Sequence, residues 1–307
     1  MITRFDRVAV DLPIPAAPNP NGASVVQELL GGKFGEMSTL MNYTFQTMNF
    51  RDRDAKAARP FYDLIANIAA EEHNHIEAVT YTINLLLTGA TERGTDPSAV
   101  PLRGVENDRN ILHFVASGQT ALPIDSMGRP WTGDNVFSSG NLKLDLLHNF
   151  FLECGARANK IRVYETTDDP TVRAMTGYLL VRGGVHVVAY ARALEVLTGA
   201  DLRPLFPIPD ISNQKFPEAK VLEDAGLHRI LYRNNPEDFA RVGEIWKGPH
   251  PEDGSELVVE DGRPEEFAPP VLEAEPQLTA PGIGAVDDAM LAEIVKRLEA
   301  KSIFTTS

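Results

Sequence analysis

The sequence predicts an all-α fold: a four-helix bundle built as two helix pairs, joined by a long crossover and followed by an extended, proline-rich arm. Three observations lead there. Four long segments repeat apolar residues at helical spacing. A stretch rich in Gly, Pro, Asp and Ser, residues 88–137, separates the second segment from the third. Beyond residue 200, twelve prolines break any sustained periodicity. The 307 residues thus divide into an N-terminal arm (1–20), the bundle (21–200) and a C-terminal arm (201–307).

Pro13, Pro15, Pro18 and Pro20 make the first segment extended, with a short strand at its start. The first helix is predicted from Ser24 to about Phe50, with Leu29, Glu36, Leu40 and Tyr43 on one stripe. A second runs from about Arg59 to Leu87, with Pro60 suited to its first turn and Gly89 just past its end. The crossover holds only a short helical stretch, Asn110 to Ala116, and its length lets helices two and three run parallel. The third helix spans about Ser139 to Thr166, with Leu142, Leu146, Phe150, Glu153 and Lys160 along one side. Asp169-Pro170 is an N-cap followed by proline at N1, so the fourth helix runs from there to Leu197, before Gly199. In the arm, short helices are expected at Pro217–Ala225 and Pro236–Trp246, and an amphipathic one at Asp287–Ala300. Isolated apolar clusters such as Leu257-Val258-Val259 have no private core to join, and neighbouring subunits are the expected support.

Composition excludes several function classes. A net charge of −14 argues against nucleic acid or an anionic membrane surface as partner, because both require a basic face. Residues from Gly248 onward contribute 13 acidic against 4 basic side chains, so the tail carries most of the imbalance. The single cysteine, Cys154, has no partner for an internal disulfide, which points to a reducing, cytoplasmic compartment. The N-terminus lacks the apolar core of a signal peptide, and no run approaches a membrane span.

The chemistry lies in polar residues that interrupt apolar stripes. Glu72-x-x-His75 sits on a stripe with Ile65, Ile68, Val79 and Ile83. Glu36, Glu153 and His186 fall on the stripes of the other three helices. Taken singly, Glu36 and Glu153 read as solvated positions and His186 as a core histidine. Together, in this helical order, the five converge on a dinuclear metal site in a bundle core. Unpaired charge among Leu and Ile is costly, so such groups are paired, neutralised or bound to a cation. Oxygen and nitrogen donors without thiolate suit Mn or Fe. His73 lies about 160° from His75 around the helix and reads as a peripheral or surface residue. Gly31-Gly32-Lys33-Phe34 lacks the Ser/Thr of a phosphate loop, and Gly282-Ile283-Gly284 lacks a third glycine.

The segments LLGGKFGEMSTLMNY (29–43), YDLIANIAAEEHNHIE (62–77), SSGNLKLDLLHNFFLECGARANKIRVYE (138–165) and YLLVRGGVHVVAYARALE (178–195) closely resemble the manganese catalases of the ferritin-like superfamily. LFPIPDI, FPEAK, LYRNNPEDF and the run from Ile245 to Glu256 extend the resemblance to about residue 262. By position, it implies Glu36 and His75 as ligands of one manganese, Glu153 and His186 as ligands of the other, and Glu72 as the bridge. It also implies disproportionation of hydrogen peroxide to water and dioxygen by a metal pair cycling between Mn(II)/Mn(II) and Mn(III)/Mn(III), in a homohexamer. Some members place a Glu at the position of Gly183 and an Arg at that of Leu152; this chain matches the subgroup lacking both, which makes Lys160 the candidate for proton relay. Tyr43, seven residues after Glu36, is expected to hydrogen-bond a ligand carboxylate. Asp63 resembles a calcium position at subunit contacts, although its usual partner one turn later is Asn67 here. Two alternatives stand beside this reading: a di-iron ferritin-like oxidase, and a structural relative of the spore-coat type.

Overall fold

The computed structural model describes residues 7–91, 97–100, 102–206, 211–272 and 288–300. Expectations for the first six residues, for Gly282-Ile283-Gly284 and for the parts of the arm at 273–287 and 301–307 fall outside them.

The first bundle helix is two helices, α1 (Pro20–Gly31) and α2 (Glu36–Met48), rather than the single one expected from Ser24 to Phe50. The cause is the crossover segment lying against it. A Cβ on Gly31 would sit 2.3 Å from the Ile124 carbonyl oxygen, so only glycine admits that close approach, and the chain turns before restarting at Glu36. Glu36 thereby occupies the first turn of α2, where the helix dipole favours a carboxylate. Pro20 is itself the first residue of α1, capped by the Asn19 side chain, so the extended arm ends one residue earlier than predicted.

Helix α3 (Arg59–Leu87) runs the length predicted for it. Among its described residues the crossover contains one α-helix, the short α4 (Leu112–Val115), beside three 3-10 turns, and it is fastened to the bundle by amide side chains. Gln27 Nε2 donates to the Leu122 and Ile124 carbonyls at 2.6 and 2.9 Å, and Asn42 donates to the Asn135 carbonyl at 2.9 Å. Helices α5 (Leu142–Glu165) and α6 (Pro170–Thr198) complete the bundle. Asp169 caps α6 through the Thr171 and Val172 amides, and Gly199 ends it in the left-handed region at φ 73°. No helix among the described residues is long and apolar enough to cross a membrane.

The C-terminal segment departs from expectation. Helix α7 (Pro217–Asp224) forms close to its predicted bounds, but Pro236–Trp246 is irregular apart from a 3-10 turn at Val242–Glu244. A two-stranded parallel sheet pairs β1 (Ile230–Arg233) with β2 (Val258–Asp261), Ile230 opposite Val258. Leu231, Phe239, Val242, Ile245, Trp246 and Leu257 are buried with Val185, Val188 and Leu194 in one cluster, and Val259 packs against it. Within the expected cluster Leu257-Val258-Val259, Leu257 and Val259 thus find support on the chain's own bundle. Three polar anchors hold them there. Asn67 of α3 donates to the Tyr232 carbonyl at 2.9 Å and accepts from the Asn234 amide at 2.9 Å. The Trp246 indole donates to the Val258 carbonyl at 2.9 Å. Arg182 of α6 donates to the carbonyls of Leu227 and Ile230 at 2.9 and 2.8 Å. Even the N-terminal segment is tied in, through backbone bonds between Val8 and Phe267. By contrast, helix α8 (Asp288–Ala300) leaves Met290, Leu291, Ile294, Val295 and Leu298 exposed.

Candidate metal centre

All five sequence-predicted residues meet in the bundle interior, and each is fully buried. Glu36 comes from α2, Glu72 and His75 from α3, Glu153 from α5 and His186 from α6. Glu72 lies between the two imidazoles: Oε2 is 3.1 Å from His75 Nδ1 and Oε1 is 2.8 Å from His186 Nδ1. Glu36 Oε2 is 3.5 Å from His75 Nδ1, and Glu153 Oε1 is 3.5 Å from His186 Nδ1. The result is two matched half-sites, Glu36 with His75 and Glu153 with His186, sharing Glu72. The imidazole rings stack at 5.4 Å with 26° between their planes.

The surrounding groups orient these five. Thr39 Oγ1 donates to Glu72 Oε2 at 3.0 Å, and the Tyr43 hydroxyl donates to Glu153 Oε1 at 2.5 Å. Tyr43 does reach a carboxylate of the cluster, across to α5 rather than along its own helix. Lys160 Nζ lies 2.9 Å from Glu36 Oε1. Its room comes from Gly183, where a Cβ would be 3.2 Å from Nζ.

Sequence reasoning missed two residues here, Glu71 and Arg182. Glu71 Oε2 is 3.5 Å from His186 Nε2 and Oε1 is 3.8 Å from His75 Nε2, so one carboxylate stands behind both rings. Arg182 grips that carboxylate with two donors, at 2.6 and 3.1 Å. A charged residue inside the apolar run YLLVRGGVHVV was the available signal, since a buried guanidinium requires a buried anion. A ring nitrogen facing a carboxylate on the far side is how metal-binding histidines are commonly held.

Electrostatics favour a cation. Burial resists ionisation of Glu36, yet Lys160 and His75 outweigh it and hold the carboxyl well below the usual range. Burial alone would lower His75, but Glu72 and Glu36 raise it to about 9. His186 is likewise raised well above the usual value, Glu72 and Glu153 overcoming its burial. The cluster thus attracts protons, and cation binding would release them. The fit is also visible in what lacks a hydrogen bond: Glu153 Oε2 is buried without a partner, and Glu72 Oε1 and His186 Nδ1 face each other at 2.8 Å without hydrogen-bond geometry, as expected of atoms that converge on an ion.

Other predicted positions fall elsewhere. Asp63 is buried, but its carboxylate accepts from Arg59 Nε at 2.5 Å and from the Arg241 amide at 3.0 Å, and Asn67 is engaged with the C-terminal segment. An ion at Asp63 would therefore compete with the Arg59 guanidinium. His73 is only partly buried and lines a cavity of about 670 Å³ with Tyr62, Asn74 and Arg263, apart from the cluster. The thiol of Cys154 is pushed up to about 11 by burial and by Glu153, so it stays protonated beside the cluster.

Fold and cluster together define a class: helical-bundle proteins whose core gathers glutamates and histidines from facing helices around a cation site. The chain belongs to the manganese catalase family, whose sequence model, described as "Manganese containing catalase", matches residues 1–302. A "Manganese catalase" of Bacillus subtilis is 31% identical over 242 residues, covering 78% of this chain and 83% of that one. The "Uncharacterized protein YjqC" of Bacillus subtilis (strain 168) is 37% identical over 186 residues, covering 60% of this chain and 65% of that protein. Among solved structures, "KatB, a manganese catalase from Anabaena" aligns with a TM-score of 0.52 at 24% identity, over 64% of this chain and 81% of that one, a likeness of fold.

Proposed function

We propose that this chain disproportionates hydrogen peroxide to water and dioxygen at a dimanganese centre held by Glu36, Glu72, His75, Glu153 and His186. The observation that carries the ligand assignment is Glu72, whose two oxygens each face a different imidazole with one Glu–His pair on either side. One peroxide is oxidised to dioxygen, giving up two electrons and two protons; a second takes up both pairs and becomes two waters. Bound at these residues, the manganese pair supplies storage for the two electrons between the half-reactions.

The chain's own groups do the rest. Glu36 and Glu153 hold the outer sides of the centre, and Tyr43 fixes Glu153 by hydrogen bond. Lys160, raised above its usual range because Glu36 and the neighbouring carboxylates outweigh its burial, stays protonated beside Glu36. We assign it to holding a proton on that side of the centre, where Gly183 leaves it space. Complete burial of the cluster excludes bulk water and limits access to a molecule as small as peroxide.

Assembly as a homohexamer is part of the same reading. Its support is apolar side chains left uncovered by the single chain: Leu144, Leu147 and Phe151 on α5, and the stripe on α8. A single cysteine, with no internal disulfide to maintain, supports a reducing cytoplasm.

The test is metal analysis of purified protein beside an oxygen electrode. Two manganese per chain, with one dioxygen released for each two peroxides, is the expected result. Iron in place of manganese with dioxygen consumed would support a di-iron oxidase, and intact metal without turnover a structural protein.

A further inference from the structure

Beyond the bundle centre, the described residues contain one further group in which three metal-ligating side chains converge: His228, His250 and Asp253, with ligand atoms all within 4.8 Å of one another. The bundle-centre reading makes no use of them. His228 lies on the 3-10 turn Leu227–Arg229, between α7 and β1. His250 and Asp253 lie on a turn closed by a bridge between Pro249 and Glu256, just before β2. Residues distant in sequence are thus brought to one point by the parallel pairing of β1 with β2.

The geometry is that of one carboxylate shared by two imidazoles. Asp253 Oδ2 is 2.9 Å from His228 Nε2, and Oδ1 is 3.4 Å from His250 Nδ1. The two rings stand 5.0 Å apart and nearly perpendicular, at 84°. Their turn is internally braced. Ser255 donates to Asp253 Oδ1 from its amide at 3.0 Å and its hydroxyl at 2.7 Å, and the Glu252 amide donates to His250 Nδ1 at 3.3 Å. The His250 side chain is 6% exposed and that of His228 11%, whereas Asp253 is 47% exposed at the lip of a cavity of about 520 Å³. His228 Nδ1 is buried with no hydrogen-bond partner. A surface ion pair needs one histidine; a second, nearly buried imidazole turned toward the same carboxylate calls for another explanation.

We propose that His228, His250 and Asp253 form a second cation site, separate from the bundle centre, for a divalent first-row transition ion of which Zn²⁺ is the matched probe. Two nitrogen donors and one oxygen donor suit zinc and its neighbours, whereas calcium and magnesium require oxygen alone. Three protein ligands would leave one position for solvent, and all three side chains line the cavity. An ion here would tie the turn before β2 to the turn before β1, and so fix the register of the sheet that rests on the bundle. Its role is structural.

The experiment uses the full-length protein with its bundle metals in place, exposed to Zn²⁺, desalted and analysed for both metals, with melting temperature recorded. Wild type should gain one zinc per chain with its manganese content unchanged, and melt higher. His228→Gln and Asp253→Asn, both at partly exposed positions, should keep their manganese. They should bind zinc more weakly by more than the roughly 10- to 100-fold that loss of an outer-shell partner costs. Equal zinc uptake by wild type and both variants would mean an adventitious ion only and would overturn the site. So would no retained zinc, or zinc gained only as manganese is lost.

Discussion

The bundle interior and the C-terminal segment bury polar groups in opposite ways. Along the C-terminal segment each anchoring group has a fixed protein partner: Asn67 the Tyr232 carbonyl, Trp246 the Val258 carbonyl, Arg182 two further carbonyls. At the bundle centre, Glu153 Oε2 is equally buried and has none, and Glu72 Oε1 and His186 Nδ1 face each other at 2.8 Å without hydrogen-bond geometry. Adjacent residues show the contrast most sharply. Glu71 is held by the Arg182 guanidinium, while Glu72, one position on, faces only two imidazoles and a threonine hydroxyl. Satisfied polar groups build the fold, and orphaned ones mark where a ligand belongs.

The largest expected break in that contrast is Glu72→Ala. Both half-sites share this carboxylate, so activity should fall more than about 100-fold, beyond the cost of losing an outer-shell partner, and metal content should fall with it. Two manganese per chain retained by the variant, counted by metal analysis, would remove Glu72 from the centre.

Next comes Arg182→Met, which strands Glu71 as an uncompensated buried charge. Stability should drop by about 3–5 kcal/mol in chemical denaturation. Manganese should also bind more weakly, because the carboxylate behind both rings loses its anchor. A stability loss with unchanged manganese affinity would make the pair purely a strut.

Trp246→Phe keeps the packed ring but removes the indole donor from the Val258 and Arg229 carbonyls. About 1–3 kcal/mol should be lost, with metal content untouched. Truncation after Gly248 deletes β2 altogether and should therefore weaken the single chain, not only its assembly.

The smallest effect is acid sensitivity of the crossover. Burial holds His113 below its ordinary 6.5, although the Thr120 carbonyl pulls the other way. The unfolded chain then binds the extra proton more readily than the native one. The contribution of His113 is present above about 6.5 and lost as pH falls through the lowered value. Denaturation midpoints at pH 7 and pH 5 should differ less in His113→Gln than in wild type.

Much of this was legible in the sequence, and the limit has a physical cause. Glu36, Glu72, His75, Glu153 and His186 could be found because each interrupts an apolar stripe of period 3.6, a signal local to its helix. The parallel sheet could not, since four-residue strands whose pairing spans 28 positions, Ile230 to Val258, leave no local pattern. Glu71 was hidden by its neighbour: one position is about 100° of helix, which takes it off the stripe and toward a partner on another helix. The break at Gly31 was likewise set by a carbonyl from the distant crossover.

The most direct test of the centre is anomalous diffraction at the manganese absorption edge, from crystals of the manganese-loaded protein. Two peaks inside the bundle, one beside Glu36 and His75 and the other beside Glu153 and His186 with Glu72 between them, are the expected result. A single peak, or peaks away from Glu72, would contradict it.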